Sequence, residues 1–213
     1  MKEIRKIITM DINAYSRMKR MMDIFFSSLG LLVCLPVFLL IAVLIKLDDY
    51  SSPILFFQMR VGKNGKIFKM YKFRTMVPDA EERLVELLEF NEIGGHMFKI
   101  KKDPRVTRIG MMLRKNSLDE FPQLVNVLKG EMSLVGPRPP LVCEFEKYNE
   151  IEKKRMEVIP GCTGLWQVSG RNSLSFDQMI SLDMKYISNQ CLKLDIMILL
   201  KTMIEVIKGE NAY

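Results

Sequence analysis

One stretch stands apart from an otherwise mixed pattern of apolar and polar positions. From Ile24 to Ile45 run 22 residues without a charge, and about 20 apolar residues suffice for a helix to cross the hydrocarbon core of a bilayer. The run starts too far from the N-terminus, and lacks the small-residue cleavage site, to be a secretory signal. Pro36 stands in its middle, where proline removes a backbone hydrogen bond and kinks a helix. Ser27, Ser28 and Gly30 weaken it further. Cations flank both sides: Arg17, Lys19 and Arg20 before, then Lys46, Arg60, Lys63 and Lys66 after. A straight span would place one basic flank outside, against the positive-inside tendency. The pattern favours a helix–break–helix that enters the membrane and returns at Pro36. A straight span is the second reading, and the core helix of a soluble protein fits this uniform apolarity least.

The rest of the chain reads as short elements. Residues 1–20 are basic and moderately amphipathic, suited to a membrane interface. Ile54–Gln58 and Lys66–Phe73 are β-rich runs around Gly62–Gly65, which predicts a hairpin. Ala80–Phe90 reads as an acidic helix broken at Gly94 and Gly95. Pro122 and Gly130 bracket a short helix over Pro122–Lys129. Val135–Pro140 cannot be helix interior. Glu144–Val158 reads as one charged helix closed by Pro160 and Gly161, and Asp177–Ser188 as another. Cys191–Lys208 carries a broad Leu, Ile and Met face interrupted by Lys193, Asp195, Lys201, Glu205 and Lys208, an amphipathic helix for either the core or a membrane surface. The expected fold is α+β and mostly helical. Residues 1–48 form an interfacial segment and re-entrant membrane helix, and 49–213 one compact catalytic domain ending in the amphipathic helix.

Composition narrows the chemistry. The net charge is +7, with 32 Lys and Arg against 25 Asp and Glu, which favours anionic partners without choosing among nucleic acid, acidic lipid and phosphorylated substrate. Cys34, Cys143, Cys162 and Cys191 lack metal-ligand spacing and form no disulfide framework, in keeping with a reducing compartment. His96 is the one histidine, which excludes a His dyad, a Ser-His-Asp triad and a HExxH zinc site. There is no P-loop, no GxGxxG and no Asp-x-Asp pair.

Chemistry can sit between Asp103 and Pro140. There Asp119 and Glu120 stand side by side, just after Arg114 and Lys115. One reading is structural: Ser117 and Glu120 have the spacing of a capping box. Pro122 opposes it, because it would fall inside that helix. If the helix starts at Pro122 instead, the carboxylates precede its N-terminus, where backbone N–H groups help hold a phosphate. Attack on a phosphoanhydride needs a nucleophile and cations to neutralise the phosphates. Arg74, Arg114, Arg138 and Arg171, in Gly- and Pro-punctuated segments, are candidate neutralisers; each is equally readable as a surface charge or ion pair.

KFRTM (72–76), DPRVTRIG (103–110), LRKNSLDEFPQLVNVLKGEMSLVGPRPP (113–140) and PGCTGLWQVSGRN (160–172), in this order, closely resemble the bacterial sugar transferases, the monotopic phosphoglycosyl transferases. The resemblance covers nearly the whole chain. Larger relatives carry an added N-terminal transmembrane bundle, and this sequence looks like the minimal catalytic form. The resemblance implies transfer of a sugar-1-phosphate from a UDP-sugar to undecaprenyl phosphate with Mg2+, releasing UMP, at the cytoplasmic face of the inner membrane. It implies Asp119 as a nucleophile forming a covalent phosphosugar adduct, and Glu120 as its partner in a dyad, in metal binding or acid–base support, with both as candidate Mg2+ ligands. It further implies Arg114 and Arg171 at phosphate, Pro137, Arg138 and Pro139 lining the site, and Pro36 as the membrane-helix break. Asn116 and Cys162 depart from the usual Thr and branched apolar residue. Leu165–Gly170 is similar to versions in enzymes using galactose or glucose. A homo-oligomer is compatible with all of this, and nucleic acid is not an expected partner. Two other readings stay open: a membrane-tethered basic adaptor, and a transferase without covalent catalysis.

Overall fold

The computed structural model describes residues 2–87, 89, 100, 103–170 and 173–208, with the side chains of 2–12, 207 and 208 left aside. It opens with α1 (Lys2–Asp48), followed by a hairpin of β1 (Leu55–Val61) and β2 (Ile67–Phe73). Then come α2 (Leu84–Leu87), α3 (Arg108–Lys115), α4 (Gln123–Lys129) and β3 (Ser133–Val135). The chain continues through α5 (Val142–Phe145), α6 (Glu150–Lys153), β4 (Gly161–Thr163), α7 (Phe176–Ser188) and α8 (Leu192–Lys208). Short helices thus dominate two small sheets, in line with an α+β, mostly helical reading.

α1 continues through Pro36 as helix, so the interruption expected there is a proline inside a helix and not an end to it. A proline forfeits one intrahelical bond, and the flanking turns keep theirs. Both ends of the apolar run dock on the same domain. Upstream, Tyr15 and Lys19 donate to Asp195 on α8 at 2.9 and 3.0 Å. Arg20 donates to the carbonyls of Val127 and Leu128 at the end of α4, and Asp23 accepts from Ser133 Oγ and the Leu134 amide. Downstream, Ile41 and Ile45 pack with Phe73 and Leu113, and Phe38 meets Phe73 and Phe121 edge-on. Between them most side chains are exposed, Leu32 by 71%. That is the reverse of a soluble protein's core helix.

The hairpin is antiparallel, with Leu55 opposite Phe73 and Val61 opposite Ile67. Gly65, at φ 77°, takes the left-handed turn for which glycine is suited. Phe68 and Met70 turn into the main core with Val127, Met132, Leu134, Val135, Tyr186 and Ile198. β3 and β4 pair in parallel, Ser133 with Gly161 and Val135 with Thr163. A Cβ on Gly161 would collide with Gly136 N and Thr163 O, so the two Gly-Pro segments approach at backbone distance. α8 buries Asp195 and Ile198 and leaves Ile196, Met197, Leu200, Met203 and Ile204 exposed. It therefore has both a core face and a free apolar face, which unites the two readings of its pattern.

Three elements differ from expectation. Glu144–Val158 is not one helix: Asn149 accepts from the Ile151 and Glu152 amides while Glu152 caps the Asn149 amide, a capping box that starts α6 afresh. Among the described residues of Ala80–Phe90 only Leu84–Leu87 is α-helical, after a turn; Leu88, Phe90 and the expected break at Gly94 and Gly95 lie outside the described residues. β3–β4, three residues per strand, is too short to leave a periodic signal.

Candidate active site

Asp119 and Glu120 lie in a 3-10 turn, Leu118–Glu120, between α3 and α4. Ser117 ahead of it is left-handed, at φ 54°, and its side chain caps nothing. The capping-box reading of Ser117 and Glu120 is thereby overturned. Pro122 instead occupies the N-cap of α4, and left-handed Gly130 closes that helix, as the sequence suggested. The carboxylates are held by a turn between two helices. That leaves their oxygens for something other than capping.

Cations surround them. Lys72 Nζ lies 2.7 Å from Glu120 Oε1. Burial pushes the Glu120 carboxyl up, but Lys72, Arg138 and Arg60 outweigh it and hold the group at about 2. Asp119, only 7% exposed, moves the other way. Burial raises it and ionised Glu120 adds to this, against the attraction of Lys72 and Arg114. Two neighbouring acids pushed apart by environment are a recurrent mark of a reactive site.

KFRTM divides its work residue by residue. Lys72 pairs with Glu120, Phe73 enters the core beneath α1, and Thr75 Oγ1 accepts from Arg114 Nε at 2.9 Å. Arg74 is turned elsewhere: its Nε donates to the Pro53 carbonyl at 3.1 Å and its guanidinium lies 5.9 Å from the Phe56 ring. Arg114 and Arg138 therefore come to the dyad and Arg74 does not. Arg171 lies outside the described residues. In DPRVTRIG, Asp103 takes a forked bond from Arg105 and Thr107 caps α3 through the Gly110 amide, so this motif holds structure.

Pro137 is fully buried, its carbonyl accepting from the Gly161 amide at 2.9 Å. Arg138 and Pro139 form a wall between two shallow clefts. One is lined by Glu120, Gln123, Cys162 and Gln167. The other is lined by Tyr148, Trp166, Phe176 and Arg155. Two buried guanidiniums grip the wall by its backbone. Arg155 donates to the Arg138 carbonyl at 3.3 Å, and Arg60 to the Pro139 carbonyl at 3.0 Å. Sequence reasoning missed Lys72 and Arg60. Strand parity could have found both, since Lys72 follows Phe68 and Met70 on the inward side and Arg60 stands opposite Phe68.

Among the described residues no cluster of three or more His, Cys, Asp or Glu could hold a metal. Mg2+, however, commonly takes one or two carboxylates and completes its shell with substrate phosphates and water. The Asp119–Glu120 pair is a donor set of that kind.

The sequence profile described as "Bacterial sugar transferase" matches residues 14–209. The chain belongs to the bacterial sugar transferase family. This sugar transferase is 49% identical over 195 residues to "Galactosyl transferase CpsE" of Streptococcus agalactiae, covering 91% of this chain and 43% of that protein. It is 44% identical over 200 residues to "Undecaprenyl-phosphate galactose phosphotransferase" of Salmonella typhimurium, covering 92% and 42%. With "Exopolysaccharide production protein ExoY" of Rhizobium meliloti the identity is 41% over 199 residues, covering 92% and 88%. The transferase thus spans less than half the length of the first two relatives and most of the third. The profile match begins inside α1 and includes both the dyad turn and α8, so the apolar helix belongs to the family's shared region.

Proposed function

We propose that this transferase moves a sugar-1-phosphate from a UDP-sugar to undecaprenyl phosphate, releasing UMP, through a phosphosugar adduct on Asp119. The observation that carries the reading is the turn of buried Asp119 and half-buried Glu120 within the fields of Lys72, Arg114, Arg138 and Arg60. An Asp119 oxygen attacks the phosphorus bearing the sugar, the bridging P–O bond breaks, and UMP departs with the bridging oxygen. A phosphate oxygen of the lipid then attacks the same phosphorus, forming the lipid-linked diphosphate sugar and restoring the carboxylate. Lys72 and Arg114 offset part of the burial that disfavours the Asp119 carboxylate. Arg138 faces the diphosphate at Glu120. Mg2+ would be held by Asp119 and Glu120 and would neutralise phosphate charge.

The docking of both ends of α1 on one domain supports a re-entrant, monotopic seat at the cytoplasmic face of the inner membrane. The exposed faces of α1 and α8 support contact with lipid. The names of the relatives support a role in exopolysaccharide, capsule or O-antigen synthesis, with galactose the first sugar to try. UMP release from a panel of UDP-sugars with undecaprenyl phosphate, with intact-mass detection of the adduct, tests the scheme. Asp119→Asn should abolish both signals and Glu120→Gln should slow them. Near-normal turnover by Asp119→Asn would overturn the nucleophile assignment, and turnover without a trappable adduct would favour direct transfer.

A further inference from the structure

We propose that the outer face of the β1–β2 hairpin rests on an anionic lipid surface, a further membrane contact besides those of α1 and α8. This rests on the membrane-bound reading of α1. β1 is inverted relative to a strand that faces water, which shows polar residues outward. Gln58 and Arg60 turn inward while Leu55, Phe57 and Met59 are exposed by 44–52%, and Ile67 on β2 by 54%. Cations frame these apolar groups. Lys69 Nζ lies 4.7 Å over the Phe57 ring. Lys129 Nζ lies 4.6 Å over the Tyr71 ring and donates to its hydroxyl at 2.8 Å. Lys63 and Lys66 stand exposed at the tip. From Tyr50 to Pro78 there is no Asp or Glu at all. An apolar patch rimmed by lysine and aromatic rings is the composition that binds acidic headgroups.

The base of this face adjoins both ends of the apolar run. Leu55 follows α1 by a short connection, 49–54, in which Tyr50 is exposed. Lys129 closes α4, whose last carbonyls hold Arg20, the final cation before Ile24. A second copy stacked face to face on a two-fold axis would instead set these lysines against their own images, a like-charge juxtaposition that disfavours association.

The test uses the full chain in proteoliposomes. Phe57→Trp, Leu32→Trp and Val85→Trp are each made, with buried Trp166 as common background, and quenching by dibrominated phosphatidylglycerol or phosphatidylcholine is read. Emission from position 57 should fall about two-fold in the brominated anionic lipid, that from position 32 at least as far, and that from position 85 little. Replacing Lys63, Lys66, Lys69 and Lys129 by Gln should reduce quenching at position 57 to its phosphatidylcholine level while leaving UMP release intact. Quenching at 32 without quenching at 57 overturns the proposal and leaves the membrane reading standing; no quenching at either position overturns both. Equal quenching in the two lipids, unmoved by the lysine changes, overturns the anionic preference. Protection of position 57 from aqueous acrylamide without lipid quenching means that a protein covers the face, and overturns the proposal.

Discussion

Lys72→Met removes the one cation that, among the described residues, is in direct contact with the dyad. Glu120 is held at about 2 against an ordinary 4.5, a difference worth about 3.5 kcal/mol at ~1.4 kcal/mol per unit. Arg138 and Arg60 share in it, and the Glu120 side chain is 32% exposed, so solvent screening leaves about 1–2 kcal/mol to Lys72. Because the folded value is depressed, that stabilisation is complete above about 4.5 and is lost as the pH falls toward about 2. Asp119 has the opposite sign. Its raised value makes its ionised form a cost above the ordinary 3.8, relieved as the pH falls through the folded value, and losing Lys72 raises it further. The variant should therefore unfold in urea with a deficit of about 1–2 kcal/mol at pH 7 that closes between about pH 4.5 and 2. The acid limb of its UMP-release profile should move to higher pH, because less Asp119 is ionised. Lys72→Arg should restore part of both. A deficit that persists unchanged to pH 2, or an acid limb that does not move, would refute the reasoning.

Gly110→Ala should destabilise by about 1–3 kcal/mol in a melting experiment, since its Cβ would overlap the Thr75 carbonyl and drive β2's exit away from α3. Asp183→Asn should cost about 3–5 kcal/mol by leaving Arg155 buried beside a neutral partner; pairing it with Arg155→Met should recover much of that in a double-mutant cycle. Arg60→Gln should lower kcat/KM for the UDP-sugar more than it lowers the melting temperature, because it frees the Pro139 carbonyl behind Arg138.

What could be read from the sequence was whatever depends on neighbours in the chain. The apolar run, the Gly62–Gly65 hairpin, the Pro122–Gly130 brackets and the paired carboxylates each declare themselves within a few residues. Most of what escaped depends on distant partners. Asn149 is a local exception, its capping box hidden in a charge pattern that alone would carry the helix through to Val158, whereas β3 meets β4 only because Gly136 and Gly161 let two backbones touch. Among the arginines, segment composition could not separate Arg114, which reaches Thr75 and the dyad, from Arg74, which reaches Pro53. Lys72 was passed over inside a motif quoted for its arginine. A lysine on the inward side of a strand has to find a partner, and that rule would have singled it out.

The same contacts that seat the apolar helix also shape the site. Asp23, one residue before the uncharged run, binds the Leu134 amide and Ser133 hydroxyl of β3. β3 leads through Gly136 into Arg138 and Pro139, whose carbonyls Arg155 and Arg60 hold. On the downstream side Phe38 touches Phe73 and Phe121, immediately after Lys72 and Glu120 in the chain. Each end of the helix is thus only a few covalent bonds from a residue that faces the dyad. Tightly packed interiors transmit small shifts instead of absorbing them, so displacing α1 from the domain should disturb Arg138 and the Lys72–Glu120 pair together. On the proposed reading, in which the acceptor headgroup is fixed at a membrane surface, this arrangement makes seating in the lipid and assembly of the site a single structural event.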